Sequence, residues 1–211
     1  MNQDDCLQKD SFAENSFYAI ISDVDKALNA EAYLAALALM LTIPDICAKA
    51  EYGDSLGGRK RYIKWFDKNI GQYNCASEKE GEPCMPYLSG ELVYQLRCSV
   101  LHEGSSNVNT SKIEETANKI DSFALIVETE KPFGIYMDFS RTVTDKNETV
   151  INRTYQVNIR RLWMQIKAVS LNFYEKNKEK FEFCNYRIID WDQRTEILEK
   201  LNRCKEDALN K

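Results

Sequence analysis

One nearly uninterrupted apolar stretch, residues 30–52, constrains the fold of this chain more than any other part of its sequence. A helix that is apolar all round must be buried on most sides, so we expect this segment at the centre of a bundle. Pro44 removes a backbone donor and predicts a bend there. The most apolar run, residues 34–43, ends at Pro44 and Asp45, well short of the roughly 20 residues that a membrane span needs. The sequence therefore predicts a buried helix and no membrane segment.

Four other segments repeat apolar residues every three or four positions, which predicts amphipathic helices. They are residues 11–28, 59–72, 155–176 and 192–208. In the second segment, the side chains expected to face inward are Tyr62, Trp65, Phe66 and Ile70, and those expected to face outward are Arg59, Lys60, Lys64 and Lys68. The outer face fits an ordinary solvated helix surface, and a patch that binds RNA phosphates is the alternative.

Two short runs in the second half alternate apolar and other residues, which is typical of strands. They are Phe123, Leu125 and Val127, followed by Ile135, Met137 and Phe139, with Pro132 and Gly134 between them. This pattern predicts a β-hairpin over about residues 121–143, a charged loop over 142–149, and a short strand over 186–191. We therefore expect a mainly α protein, one domain over residues 1–211, with a small β-hairpin insertion.

Composition narrows the function classes. With 211 residues and a net charge of −5, the chain is not built to hold nucleic acid by bulk electrostatics, so any RNA contact must use a local patch. Its seven cysteines include no C-x-x-C pair, which favours reduced thiols in a reducing compartment. The N-terminus lacks a basic region followed by an apolar run, so no signal peptide is predicted. We expect a cytoplasmic protein.

The chemistry is expected on a sixth helix, residues 87–103, because this segment holds the only histidine, His102, five residues after Arg97. Pro86 suits the first turn of a helix and Gly104 suits its left-handed C-terminal cap. At about 100° per residue, one arc of roughly 140° is apolar and forms the core face. Its members are Leu88, Leu92, Val93, Leu96 and Val100.

The opposite arc of this helix mixes small, apolar, aromatic and charged residues: Gly90, Tyr94, Arg97, Cys98, Leu101 and His102. Such a face is expected where a second helix packs closely and encloses a polar site. Arg97 and His102 lie about 140° apart on an ideal helix, so they do not stack as an i, i+4 pair does. A second copy related by a two-fold axis would pool two arginines and two histidines in one cleft. We therefore expect a homodimer.

Arg97, four residues and His102, late in a helix of a small helical protein, resemble the Arg-x4-6-His motif of the HEPN superfamily. The stretch RKRYIKWFDKNI, residues 59–70, also resembles what precedes this motif in some bacterial members. The resemblance implies a helical, dimeric ribonuclease that needs no metal and no cofactor, of toxin–antitoxin or phage-defence type. RNA and an antitoxin or other protein are then the expected partners. One departure is Cys98, where active members usually carry Asn, Asp or His.

The resemblance implies cleavage by the neighbouring 2′-hydroxyl, which leaves a 2′,3′-cyclic phosphate. His102 is then the general base or acid, since an imidazole exchanges protons near neutral pH. Arg97 is the phosphate clamp, because its planar fork matches phosphate oxygens and stays charged. Tyr94, Cys98 and Ser99 are supporting candidates.

A structural reading of the same residues stays open. A histidine at a helix C-terminus is also explained by the helix dipole and by capping of free carbonyls. Arg97 then merely pairs with Glu91 or Glu103. The corresponding alternative function is a catalytically inactive, HEPN-like helical dimer that binds nucleotide, RNA or a protein partner.

Overall fold

The computed structural model describes residues 16–74, 87–128, 137–144, 146, 150–185, 191, 195 and 198–199. The chain divides into two compact units, one of Tyr18–Phe183 and one of Met1–Phe17 with Cys184–Lys211. In the second unit, the described residues 191, 195, 198 and 199 are helical. Most of the helix predicted over 192–208 lies outside the described residues. So do positions 11–15 of the first predicted helix and nearly all of the strand predicted over 186–191.

Six α-helices with defined bounds make up nearly half of the described residues. They are α1 Ser16–Asn29, α2 Tyr33–Met40, α3 Ile43–Tyr52, α4 Gly58–Asn69, α5 Gly90–Cys98 and α6 Ile159–Lys176. Short 3₁₀ turns follow at Gly71–Tyr73, Thr110–Lys112, Thr116–Asn118 and Lys178–Phe181. The prediction of a mainly α protein is confirmed.

The apolar stretch forms two helices rather than one bent helix. α2 ends at Met40 and α3 begins at Ile43, and Pro44 lies in the first turn of α3, where its missing N–H breaks no helical hydrogen bond. By length and composition alone, Tyr33–Tyr52 is apolar enough to cross a membrane, with a mean hydropathy of 1.5. Half of its most apolar window is buried inside the protein, and core helices of soluble proteins pass the same test.

The sheet corrects the predicted hairpin. Its strands are β1 Ser122–Ile126, β2 Met137–Thr144 and β3 Val150–Asn158, in the order β1-β3-β2. β3 pairs in parallel with β1 and antiparallel with β2, so β1 and β2 do not pair with each other. The prediction went wrong because alternation identifies a strand without identifying its partner. The loop predicted over 142–149 is wrong at 142–144, which belong to β2, while 145 and 147–149 lie outside the described residues. The predicted helix start at 155 is also wrong, because β3 continues to Asn158.

α6 begins directly after β3, and a side-chain cap explains the sharp change of conformation. Asn158 ends the strand, and its Oδ1 accepts hydrogen bonds from the backbone N–H groups of Arg160 and Arg161 at 3.1 and 3.3 Å. This satisfies donors that the first helical turn leaves free. The apolar face of α6 then buries Leu162, Trp163 and Ile166.

The core lies among α3, α4, α5 and α6. Tyr62, Trp65, Phe66 and Ile70 of α4 are buried, as the helical pattern predicted. Leu88, Leu92, Val93 and Leu96 are also buried, whereas Val100 is only half-buried. Trp65 contacts Phe173 of α6 edge to face, with ring centroids 5.6 Å apart, an arrangement that aromatic pairs favour. This contact packs α4 against α6.

Candidate functional site

The helix that carries Arg97 and His102 begins later than predicted and changes type. Ser89 is its N-cap, and the Ser89 Oγ accepts a hydrogen bond from Leu92 N at 3.3 Å. Pro86, the predicted first-turn residue, lies outside the described residues. The α-helix ends at Cys98 and continues as a π-helical turn, Ser99–Glu103. Gly104 then adopts the predicted left-handed conformation, with φ of 60°.

The π turn carries His102 and begins two residues after Arg97. In a π turn, hydrogen bonds join residues five apart rather than four, so each turn holds more residues than an α turn does. Residues five apart therefore lie closer to one face than the ideal α-helical wheel predicts. Single π turns are frequent at functional sites. Sequence reasoning missed this turn because no residue pattern in Ser99–Glu103 distinguishes it from an α turn.

Arg97 contacts α3 and its own helix. Its Nη2 lies 3.5 Å from Asp45 Oδ2, and its guanidinium lies over the Tyr94 ring, 5.8 Å from the centroid. Its side chain is 19% exposed. The predicted pairing with Glu91 or Glu103 is wrong, because Glu91 binds Arg59 instead and the acidic partner of Arg97 is Asp45.

Asp45 also binds a second arginine, Arg61 of α4. Its Oδ1 lies 3.4 Å from Arg61 Nε and 3.3 Å from Arg61 Nη2. Arg61 further contacts the Gly53 carbonyl at 3.4 Å and the exposed Asp54 carboxylate at 3.6 Å. Asp45, Arg61 and Arg97, hereafter the Asp45 cluster, thus join the ends of three helices. Sequence reasoning missed Asp45 and Arg61, because 36 and 52 positions separate Arg97 from Arg61 and Asp45 along the chain.

Tyr94 and Cys98 form the wall beside this cluster. Burial, together with the neighbouring Cys98 thiol, raises the pKa of Tyr94. The Tyr94 ring meets the buried Tyr62 ring edge to face at 5.3 Å. Burial also raises the pKa of Tyr62 far above its usual value, and its hydroxyl donates to Leu41 O at 3.1 Å. Both phenols are therefore neutral hydrogen-bonding groups at neutral pH.

Ser99 and His102 have different surroundings from each other. Ser99 is buried, and its Oγ donates to the Asn107 carbonyl at 2.7 Å, which ties the π turn to the following segment. His102 is exposed at the end of the same turn. Ser99 thus has a structural bond, whereas the His102 imidazole faces solvent. Cys98 is half-buried and carries a free thiol.

The face that suggested a dimer is largely covered by the chain itself. Gly90 is buried, and a Cβ built on it would lie 2.5 Å from the Ile63 carbonyl oxygen of α4. Tyr94 packs on Tyr62 and Arg97 packs on Asp45. The predicted close approach at Gly90 therefore occurs within the chain, between α4 and α5. The other members of the arc keep some exposure: Tyr94, Arg97, Cys98 and Leu101 are half-buried, and His102 is exposed.

The basic outer face of α4 is mostly engaged by its own chain. Arg59 binds Glu91 and Glu114, and Lys68 binds Glu51. The Lys64 ammonium lies over the Tyr52 ring, 4.8 Å from its centroid. These contacts favour the reading of a solvated, ion-paired surface over an RNA patch.

A cleft of about 310 Å³ opens beside the N-terminal end of α5. Its walls include Arg59, Lys64, Asp67, Glu91 and Glu114. Asp67 Oδ1 accepts a hydrogen bond from Gly90 N at 2.6 Å. Burial raises the pKa of Asp67, while this hydrogen bond acts in the opposite direction. Since the walls carry both charge signs and their charges are largely paired, the Asp45 cluster is the stronger candidate site.

Comparison with protein-family models, with curated proteins and with solved structures finds no match to this chain. The candidate site therefore stands on its own geometry and on the resemblance of its Arg97–His102 spacing to the HEPN motif.

Proposed function

We propose that this chain is a HEPN-like endoribonuclease that cleaves RNA without a metal ion, using Arg97 and His102. The observation that carries the proposal is a solvent-facing His102 on a π turn that begins two residues after Arg97. Arg97 is half-buried, and its guanidinium contacts Asp45. An exposed imidazole exchanges protons with a substrate, while the planar fork of a guanidinium matches phosphate oxygens. RNA therefore meets both groups at one end of α5.

In the proposed reaction, the 2′-oxygen attacks the neighbouring phosphorus and the bond to the 5′-oxygen breaks. His102 accepts the proton of the 2′-hydroxyl, and Arg97 donates hydrogen bonds to the non-bridging oxygens as negative charge develops there. The leaving 5′-oxygen takes a proton from a second acid. In a homodimer that acid is the other copy of His102. The products are a 2′,3′-cyclic phosphate and a 5′-hydroxyl.

The proposal therefore includes a homodimer. Its interface has to include the π turn around Leu101 and His102. Light scattering at micromolar concentration tests it. A stable monomer that still cleaves RNA would contradict the composite site and would require an acid from the same chain.

The activity test uses single-stranded RNA in the presence of EDTA. The wild-type protein is expected to leave 2′,3′-cyclic phosphate ends, and His102→Ala and Arg97→Ala are expected to lose about 100-fold or more in rate. Glu103→Gln is the matched control, because Glu103 is an exposed neighbour of His102 on the same π turn. Equal cleavage by wild type and His102→Ala would show that the activity belongs to a contaminant.

The second candidate is a HEPN-like module that binds RNA or a protein partner without cleaving. The specific observation in its favour is Cys98, a half-buried free thiol at the position where active members of that superfamily usually carry Asn, Asp or His. If wild type does not cleave, Cys98→Asn is the decisive variant. Cleavage by Cys98→Asn but not by wild type would assign wild type to the inactive class. If neither protein cleaves RNA, the result favours the binding module.

A toxin or phage-defence role follows from the nuclease proposal. It predicts that expression of the wild-type chain arrests bacterial growth, whereas expression of His102→Ala does not. Equal growth in both cultures would contradict this role.

A further inference from the structure

The Asp45 cluster carries two positive charges and one well-placed negative charge. Arg61 and Arg97 both face the Asp45 carboxylate, and the second acidic neighbour, Asp54, is 89% exposed and 3.6 Å from Arg61. An ion pair that is so exposed contributes little. The cluster therefore retains an excess positive charge next to the proposed phosphate clamp.

The carboxylate holds the two guanidinium groups loosely. Its contacts with Arg61 and Arg97 measure 3.3 to 3.5 Å, whereas charge-assisted N–H···O bonds are typically about 2.7–2.9 Å. The ion pair with Asp45 uses Arg97 Nη2, and the part of the chain that the structure describes makes no other hydrogen bond to this guanidinium. A guanidinium has five N–H donors, so Arg97 has donors left for a further acceptor.

The cluster is also reachable. The side chains of Arg61, Arg97 and Asp45 are 17%, 19% and 30% exposed, so they lie at the surface but are partly withdrawn from water. Partial desolvation strengthens charge–charge interactions, which favours an anion that enters between the two arginines. A phosphodiester carries one negative charge shared over two non-bridging oxygens, as a carboxylate does.

We propose that Arg61 and Arg97 together form the phosphate-binding pair of the site, and that the Asp45 carboxylate competes with the RNA phosphodiester for them. The identity of the ligand as RNA rests on the proposed function. Arg61 is thus a second binding residue, contributed by α4. Asp45 acts as an internal anion that weakens binding until a phosphodiester displaces it.

The test measures binding of a fluorescent single-stranded RNA oligonucleotide by anisotropy, at two salt concentrations, with the full chain. Asp45→Asn keeps the size of the side chain and removes its charge, and it is expected to tighten binding about fivefold. Glu51→Gln is the matched control, since Glu51 lies on the same helix and pairs with Lys68 instead. Both variants change the net charge equally, so a gain in Asp45→Asn alone identifies the local competition.

The complementary variant is Arg61→Gln, which is expected to weaken RNA binding about fivefold and to reduce the salt dependence of binding. Arg59→Gln is its control, because Arg59 lies two residues away on α4 and pairs with Glu91 and Glu114. Arg61→Lys keeps the charge but loses the planar fork, and an intermediate affinity is expected. Circular dichroism tests whether each variant is folded. If Arg61→Gln does not fold, the RNA affinity of Arg61→Lys decides the test.

Three outcomes overturn the inference: equal affinity of Asp45→Asn and Glu51→Gln, weaker binding by Asp45→Asn than by wild type, or equal loss in Arg61→Gln and Arg59→Gln. The cleavage assay separates this inference from the nuclease proposal. If the variants change RNA affinity as expected and no RNA is cut, the phosphate-binding role of Arg61 and Arg97 is supported and the nuclease proposal is wrong. If RNA is cut by a His102-dependent reaction and the Asp45 and Arg61 variants bind RNA as their controls do, the nuclease proposal is supported and the inference about Asp45 and Arg61 is wrong.

Discussion

The two ends of α5 are held in different ways. At the N-terminal end, Gly90 lies directly on the α4 backbone at Ile63, and its N–H donates to Asp67. At the C-terminal end, the contact with α3 is made by a long side chain, Arg97 to Asp45, and the π turn leaves His102 exposed. Backbone contacts do not adjust, whereas long side chains do. The N-terminal end therefore fixes the helix, and the C-terminal end is free to exchange partners.

The largest effect is expected from Gly90→Ala. The added Cβ would lie 2.5 Å from a carbonyl oxygen of Ile63 and 2.9 Å from its Cα, so α4 and α5 must separate. We expect a loss of about 3 kcal/mol in the free energy of unfolding, measured by urea denaturation. Gly58→Ala is the control, because no atom lies within 4 Å of a Cβ there, and it should be neutral or slightly stabilising. A Gly90→Ala variant as stable as wild type would remove the basis of the comparison.

A smaller loss is expected from Ser89→Ala at the same end. The Ser89 side chain is buried and caps α5 by accepting from Leu92 N. Its removal should lower the free energy of unfolding by about 1 kcal/mol. Ser89→Asp retains a cap acceptor and should recover part of the loss if the cap is the cause. No recovery would mean that packing of the serine matters instead.

Asp67→Asn tests the polar contact at this end through pH. Burial raises the folded-state pKa of Asp67, whereas the unfolded value is about 3.9. The folded state therefore binds the proton more tightly than the unfolded state does. The stability of the wild-type protein falls as pH rises from the unfolded-state pKa through the folded-state pKa, because Asp67 then has to ionise in a buried position. The side-chain amide of the variant would keep an acceptor for the Gly90 N–H without titrating. We expect Asp67→Asn to gain stability relative to wild type as pH rises from about 4 towards 7 in urea titrations, and a constant difference would contradict it.

The smallest effect on stability is expected at the other end, from His102→Ala. Because His102 is exposed, its truncation should change the free energy of unfolding by less than about 0.5 kcal/mol. The same variant is expected to abolish RNA cleavage. A large loss of stability would show that the imidazole is a structural cap, and the contrast between the two ends would then fail.

The apolar periodicity predicted much of the helical part. Tyr62, Trp65, Phe66 and Ile70 are buried as expected, and Gly104 ends the helical segment in the left-handed conformation. These features depend on residues close together in sequence, so the amino-acid sequence alone is enough to predict them. The sheet was predicted poorly, because β3 pairs with β1 across 32 positions, and no local pattern specifies that register.

The candidate site divides in the same way. The sequence by itself determined that Arg97 and His102 lie in one helical segment and that Leu92 and Leu96 face the core, because helical spacing fixes both. It also determined that the segment ends at Gly104, because glycine adopts the left-handed cap conformation without strain. Only the tertiary structure decided that the helix changes to a π turn, that Gly90 packs on α4 within the same chain, and that Asp45 and Arg61 surround Arg97. These depend on how three helices meet, and the packing of the buried side chains between them sets that geometry.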